Sequence, residues 1–329
     1  MSTIERAPSP QTAPGNGTGH NEPEHERVTE IQRARMLAAM AEVCAEHGAA
    51  NVTVAHVVAR SGVSRRTFYE VFEDREACFL AAFDEAAARM LEYVRTADDP
   101  RATWAARIRT ALQAALSYLD DEPKMARLLV AESLGAGQQA LERRSHLLER
   151  AIAAVDDGRH HARVGCEPSR LAAEGAIGAV VAVVHARLLA GEDGRLAGLA
   201  SELMCMIVLP YLGPAAARRE LERPVPVRGL GHRPTAANPL ETLDMRLTYR
   251  TVRVLTVLAT QPGSSNRRVA DASGIADQGQ MSKLLGRLQD RGLIQNASRG
   301  AGRGEPNAWA LTERGWQVQD ALTRQAAIR

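Results

Sequence analysis

The chain has 329 residues, enough for two or three compact units, and its 45% apolar, 24% charged composition is that of a globular protein. A formal net charge of +2 excludes a global basic field, so any nucleic-acid surface has to come from local clustering. No apolar run approaches the roughly 18 residues of a membrane helix; the longest, residues 176–184, is followed by His185 and Arg187. Alanine is abundant and strand-favouring aromatic residues are sparse, which predicts a mainly helical protein.

Residues 1–27 hold Pro8, Pro10, Pro14 and Pro23 with several glycines and no apolar core of a signal peptide, and read as a disordered tail. Apolar residues at helical spacing (Ile31, Met36, Met40, Val43) predict a helix over 29–48, stopped by Gly48. A short helix over 53–60, a turn at Ser61 and Gly62, a helix capped by Ser64 and reaching Phe72, and a longer one capped by Asp74 and running toward Arg95 follow. Five more amphipathic helices fill 100–212. Residues 213–240 carry five prolines and read as a linker. Beyond it come three helices (247–260, 265–273, 277–291), two short strands (293–297, 308–311) around a Gly/Arg loop, and a last helix from Thr312. That order is a winged helix.

The segment 53–72 supplies the parts of a helix-turn-helix. Val54, Val57 and Val58 give the first helix an apolar face, Gly62 permits the turn, Val63 plugs the joint, and Phe68 and Phe72 anchor the second helix from behind. Its free side carries Ser64, Arg65, Arg66, Thr67 and Tyr69. Arg65 and Arg66 are candidate base readers, because a guanidinium can bind guanine O6 and N7 through two hydrogen bonds. Thr53, Ser64, Thr67, Tyr69 and Arg75 suit phosphate contacts. The run from Thr53 to Glu76, with its Gly-Val-Ser turn, Thr-x-Tyr and Phe-x-x-Arg-Glu, closely resembles the TetR-family signature over about residues 30–85. The resemblance implies a homodimer with an N-terminal DNA domain and a helical domain that binds a small effector. Val71 and Arg66 depart from the usual residues, so the operator sequence does not transfer.

In the middle domain the helix over 168–191 is rich in Ala and Gly, which lets helices approach closely, and it and the helix over 196–212 are the dimer-interface candidates. In the resembled family those positions form the intersubunit four-helix bundle. An intrachain core helix is the plainer alternative. Tyr93, Trp104, Met125, Leu128 and His146 are wall material for an effector pocket but equally ordinary core. His160, His161 and Cys166 lack a second ligand pair at metal-binding spacing, and no cofactor or metal is expected.

The four cysteines form no C-x-x-C pair, which reads as a reducing cytoplasm. From residue 246 onward thirteen Lys/Arg stand against six Asp/Glu, whereas residues 28–90 carry seven against nine. The positive charge therefore gathers at the C-terminus. Residues 247–322, with the Arg268-Val-Ala-Asp-Ala-Ser-Gly-Ile turn, the Leu284-Leu-x-x-Leu run and Leu311-Thr-Glu-Arg-Gly, resemble the winged helix of MarR-type regulators. Gln278, Gln280, Lys283 and Arg287 line the free face of its recognition helix, Gln being suited to adenine N6 and N7, and Arg299 and Arg303 on the wing suit a minor groove or phosphate. Gly279 and Gly286 inside that helix cost about 1 kcal/mol each relative to Ala.

The expected organisation is a tail (1–27), a TetR-type helix-turn-helix domain (28–74), a helical effector and dimerisation domain (75–212), a linker (213–240) and a MarR-like winged helix (241–329). No Walker A, G-x-S-x-G, H-E-x-x-H or paired-carboxylate constellation is present, so an enzyme is not expected. The expected function is a cytoplasmic, ligand-responsive repressor that binds operator DNA as a homodimer. Two alternatives stand beside it: a winged helix that docks a protein instead of DNA, and a DNA-binding adaptor without sequence preference.

Overall fold

A computed structural model of the chain describes residues 22–162, 168–191, 196–224, 249–275, 277–298 and 307–325. They form two compact units: residues 32–247, and the residues on either side of that span. Each is described by itself.

The larger unit is all helical. α1 (Glu22–His47) leads through a 3-10 turn (Ala49–Asn51) to α2 (Val54–Ser61), α3 (Arg65–Val71) and the long α4 (Arg75–Ala97). Local chemistry sets these boundaries. The side chains of Thr53, Ser64 and Asp74 each accept the backbone N–H three residues on, at 3.3, 3.0 and 2.7 Å. Gly62 closes α2 at φ +66°, a left-handed conformation that costs a glycine little. Then follow α5 (Trp104–Asp121), α6 (Pro123–Val130) with a 3-10 extension (Glu132–Leu134), α7 (Gln138–Asp156), α8 (Arg170–Leu189), α9 (Ala200–Leu212) and α10 (Pro214–Glu222).

One apolar core runs through this unit, from Met36 and Met40 on α1, through Phe68, Phe79 and Phe83, to Leu116, Leu128, Val180, Met204 and Ala217. α4 is 23 residues long, about 35 Å at 1.5 Å per residue; its buried residues lie between Cys78 and Ala87, and Met90 and Tyr93 further on pack half-buried against the same core. Cys44 and Cys78 are fully buried in this core, and burial pushes each thiol up to about 12.

Three expectations need correction. The tail extends only part-way to residue 27, since α1 begins at Glu22; Pro23 falls in the first turn, where a missing N–H has no partner to lose. The expected linker begins with a helix, α10, because Pro214 occupies its first position and Ala216 and Ala217 are buried; residues 225–248 lie outside the described residues. α8 is, by length and composition, apolar enough to cross a membrane, contrary to the reading of its short uninterrupted run. It buries Ala173, Ala176, Ile177, Val180, Val184 and Leu188 on one face.

In the smaller unit α11 (Tyr249–Thr260), α12 (Asn266–Ser273) and α13 (Gln278–Asp290) precede β1 (Ile294–Asn296), β2 (Trp309–Leu311) and α14 (Glu313–Gln325). The strands pair antiparallel with Ile294 opposite Leu311 and Asn296 opposite Trp309. Leu255, Leu258, Val269, Leu285, Leu288, Leu293 and Val318 form the core. Asn266 Oδ1 accepts from the Trp309 indole and from Asn307 (3.3 Å), whose own Oδ1 accepts from Asn296 (2.7 Å), so three asparagines tie the base of the hairpin to the start of α12.

The Leu311-Thr-Glu-Arg-Gly motif has a physical account. The Thr312 hydroxyl donates to Gly292 O (2.6 Å) while accepting from Gly315 N (3.1 Å), and Thr312 N donates to Leu293 O (3.0 Å). Gly315 is thereby pressed onto the same carbonyl, and a Cβ there would stand 2.0 Å from Leu293 O. Backbone cannot give way as a flexible side chain can. Gly315→Ala is expected to destabilise this unit by about 1–3 kcal/mol, read as faster hydrogen exchange across residues 313–323; unchanged exchange would contradict that packing.

Candidate nucleic-acid interface

α2 and α3 are held at a fixed angle from beneath. Val57, Val63 and Phe68 are buried, and Phe72 closes the helix with its ring 5.7 Å from that of Phe68. With that face committed, Arg65, Arg66, Tyr69 and Glu70 stand in solvent. Arg66 Nε donates to Glu70 Oε1 at 2.9 Å, an exposed i,i+4 pair worth a few tenths of a kcal/mol. A pair that weak yields to a phosphate or a base edge. Arg65 carries no such partner among the described residues. Tyr69 is 55% exposed and edge-on to Phe68.

Thr53 and Ser64 act as helix caps, and the Ser64 and Thr67 hydroxyls lie 2.8 Å apart and share a hydrogen bond. Arg75 is the exception among the expected contacts. Its Nη1 donates to Ala49 O at 2.7 Å and to Val52 O at 3.5 Å, so the guanidinium is turned inward onto the 3-10 turn instead of outward to phosphate. The same turn is gripped from the other side, where Ala49 N donates to Glu132 Oε2 at 2.8 Å. Arg60 reaches Glu42 (2.8 Å) and Glu46 (2.6 Å), and Lys124 at the start of α6 also pairs with Glu42. Burial alone would raise the Glu42 carboxyl, yet these two cations outweigh it and hold it below its ordinary value. Sequence reasoning missed Glu42, Glu132 and the inward role of Arg75, since the partners lie up to 83 residues apart and no local spacing signals them.

On the smaller unit, Gln278, Gln280, Lys283 and Arg287 are exposed along α13, opposite the buried Met281, Leu284, Leu285 and Leu288. α13 continues through Gly279 and Gly286. Gln280 does not present a free amide, however. Its Oε1 accepts from Arg250 Nη1, and its backbone N–H donates to Asp277 Oδ1 at 3.0 Å. The pairing with adenine expected of Gln280 therefore meets an amide whose carbonyl side is already engaged. Arg299 and Arg303 lie outside the described residues, as does Cys166; His160 and His161 are exposed.

Residues 36–82 match the model of a family described as bacterial regulatory proteins, tetR family. The N-terminal helix-turn-helix is therefore similar to that of this family over those residues. Similar solved structures include the fatty acid degradation regulator FadR from Bacillus halodurans, 18% identical, covering 54% of this chain and 94% of that one at a TM-score of 0.48. FadR from Bacillus subtilis in complex with stearoyl-CoA is 18% identical and covers 55% and 98% at 0.47. A TetR-like transcriptional regulator from Rhodococcus sp. RHA1 is 20% identical and covers 54% and 94% at 0.44. No curated protein matches the chain.

Within the segment that matches this family the two roles of arginine separate by experiment. Arg75→Met is expected to cost about 1 kcal/mol or more of stability through the lost backbone hydrogen bonds and to weaken DNA binding with no change in its salt dependence. Arg65→Ala is expected to leave stability within about 0.5 kcal/mol and to lower affinity together with either the salt slope or the preference at one base pair. Binding isotherms at several salt concentrations, set beside thermal unfolding, check both; a lowered salt slope for Arg75→Met would return it to the phosphate contacts.

Proposed function

We propose that the chain is a ligand-responsive transcriptional regulator, acting as a repressor in the cytoplasm, that binds operator DNA as a homodimer through its TetR-type modules and makes a second DNA contact through the C-terminal unit, a MarR-like winged helix. The observation that carries the reading is the outward face of α3: Arg65, Arg66 and Tyr69 stand in solvent on a helix whose opposite side is locked by Phe68 and Phe72. A short helix anchored from behind and polar in front is what a major groove about 12 Å wide accepts. Thr53 and Ser64 serve as caps, Thr67 is bonded to the Ser64 cap, and all three stand beside the path of the phosphates.

Support for the second contact is the exposed row Gln278, Lys283 and Arg287 on α13, which follows a capped α12 and precedes a hairpin. One copy alone binds weakly, and tethering raises its effective concentration. Deleting residues 241–329 is expected to shorten the protected stretch of operator and weaken binding; a footprint and affinity equal to those of the full chain would overturn the second contact.

Support for the homodimer comes from α8 and α9. The side of α8 turned away from its own core presents Leu171 (71% exposed), Gly175, Gly178, Ala182 and Leu189 (57%), and α9 adds Met206 and Leu209. Exposed apolar and small residues in one stripe permit close helix approach. An added Cβ at Gly178 meets nothing within 4 Å, so the stripe is open there among the described residues. Ala182→Arg is expected to yield a folded monomer by sedimentation, with operator affinity reduced at least about tenfold because half-sites are no longer bound together; a dimer that persists would exclude this face.

An effector enters the reading through the helical bundle. The hydroxyls of Tyr118 and Tyr211 and one carboxylate oxygen of Asp156 are buried without a hydrogen-bond partner among the described residues. Such groups are costly to leave unpaired, and a polar effector atom would satisfy them. Of the expected wall residues, Trp104 and Leu128 are buried, Tyr93 meets Tyr118 edge-on at 5.3 Å, and His146 faces solvent instead.

A further inference from the structure

The recognition helix of the C-terminal unit has a neighbour that no spacing along α13 reveals. Arg250 lies in the first turn of α11, 30 residues before Gln280 in sequence, and its Nη1 donates to Gln280 Oε1. The orientation of the Gln280 amide follows from chemistry, because a guanidinium has only donors and can meet only the carbonyl side. The Asp277 carboxylate caps α13, accepting from the backbone N–H of Gln280 at 3.0 Å, a bond that holds the carboxyl below its ordinary value. The cap thus fixes the backbone of the residue whose side-chain carbonyl holds Arg250.

The arginine one turn further along α11 behaves differently. Arg253 Nη2 donates to Ala272 O at 3.3 Å and lies against Gly274, so it fastens α11 to the end of α12. Arg250 is exposed, and only one of its five N–H groups is taken by Gln280. The remaining donors lie in one rigid plane beside the third residue of α13. In a helix-turn-helix it is the first residues of the second helix that meet base edges. A planar fork held in place before binding loses less freedom on contact than a loose side chain does.

We propose that Arg250 is a DNA-contacting residue of the C-terminal unit, held in position by Gln280 and Asp277, and that its fork reads the acceptor pair O6 and N7 of a guanine. This rests on the reading that the C-terminal unit binds DNA. Gln280 then acts as a positioning residue, and the base it is associated with in the operator is the guanine read through Arg250. Asp277 acts one step back, by capping the turn of α13 that carries Gln280.

The experiment uses the full-length protein. Its preferred duplex is selected from a random pool, and affinity is measured on that duplex and on versions with each guanine replaced, over a range of salt. Arg250→Ala is expected to weaken binding roughly 5- to 100-fold and to abolish the preference at one guanine. Arg250→Lys keeps the charge but not the fork and is expected to leave that preference lost; Gln280→Ala is expected to give a smaller loss at the same base pair. Both side chains are exposed, so hydrogen exchange across α11 and α13 should match the parent. An unchanged preference in Arg250→Ala overturns the assignment. So does a uniform weakening over all sequences with a salt slope smaller by about one, the mark of a phosphate contact. The double variant Lys283→Ala with Arg287→Ala separates the two levels: if it leaves the selected sequence and affinity untouched, the C-terminal unit is off the DNA and the wider reading falls. If it weakens binding while Arg250→Ala does not, only Arg250 is excluded.

Discussion

Burial of Phe68 and Phe72 beneath α3 is the constraint from which the N-terminal module follows. With these rings and Val57 and Val63 in the core, the seven residues of α3 have only one face left for solvent, and Arg65, Arg66 and Tyr69 fall on it. The same core continues without a break through Phe79 and Phe83 of α4 into the bundle. α4 packs into that interior between Cys78 and Ala87 and, half-buried, at Met90 and Tyr93, and close-packed cores transmit displacement instead of absorbing it. The orientation of the recognition helix is therefore tied to the packing of α5 to α10.

Polar contacts refine that link. The 3-10 turn after α1 has one N–H taken by Glu132 and two carbonyls taken by Arg75, and Glu42 lies between Arg60 of the helix-turn-helix and Lys124 of α6. Exposed ion pairs contribute little individually. Their value here is geometric, because each spans a junction between the DNA-facing helices and the bundle. Unpaired hydroxyls at Tyr118 and Tyr211 lie within the same bundle, so a group that satisfied them would act on the packing to which α4 belongs.

Much of this was legible in the sequence wherever the determining interactions are local. Thr53, Ser64 and Asp74 bond backbone groups three residues away, so the helix starts could be read from residue type alone, and the same holds for Ser265 and Asp277 in the C-terminal unit. The start of α10 was misread because proline and glycine signal both a linker and a helix's first turn; what decides is burial of Ala216 and Ala217. Arg75 and Gln280 were given outward roles on the basis of their helix positions. Their partners, Ala49 and Arg250, lie 26 and 30 residues away, and such contacts exist only once the fold has formed. Glu132 has no local signature at all.

The central claim is that the chain discriminates DNA sequence through an anchored helix-turn-helix, and the most direct measurement is the ratio of its affinity for DNA recovered bound to it over that for unrelated duplex at fixed salt. A regulator of this kind predicts a ratio of about a thousandfold or more and a two-fold symmetric footprint with half-sites roughly one helical turn apart. A ratio near one, with binding that fades on added salt equally for every sequence, would contradict the account.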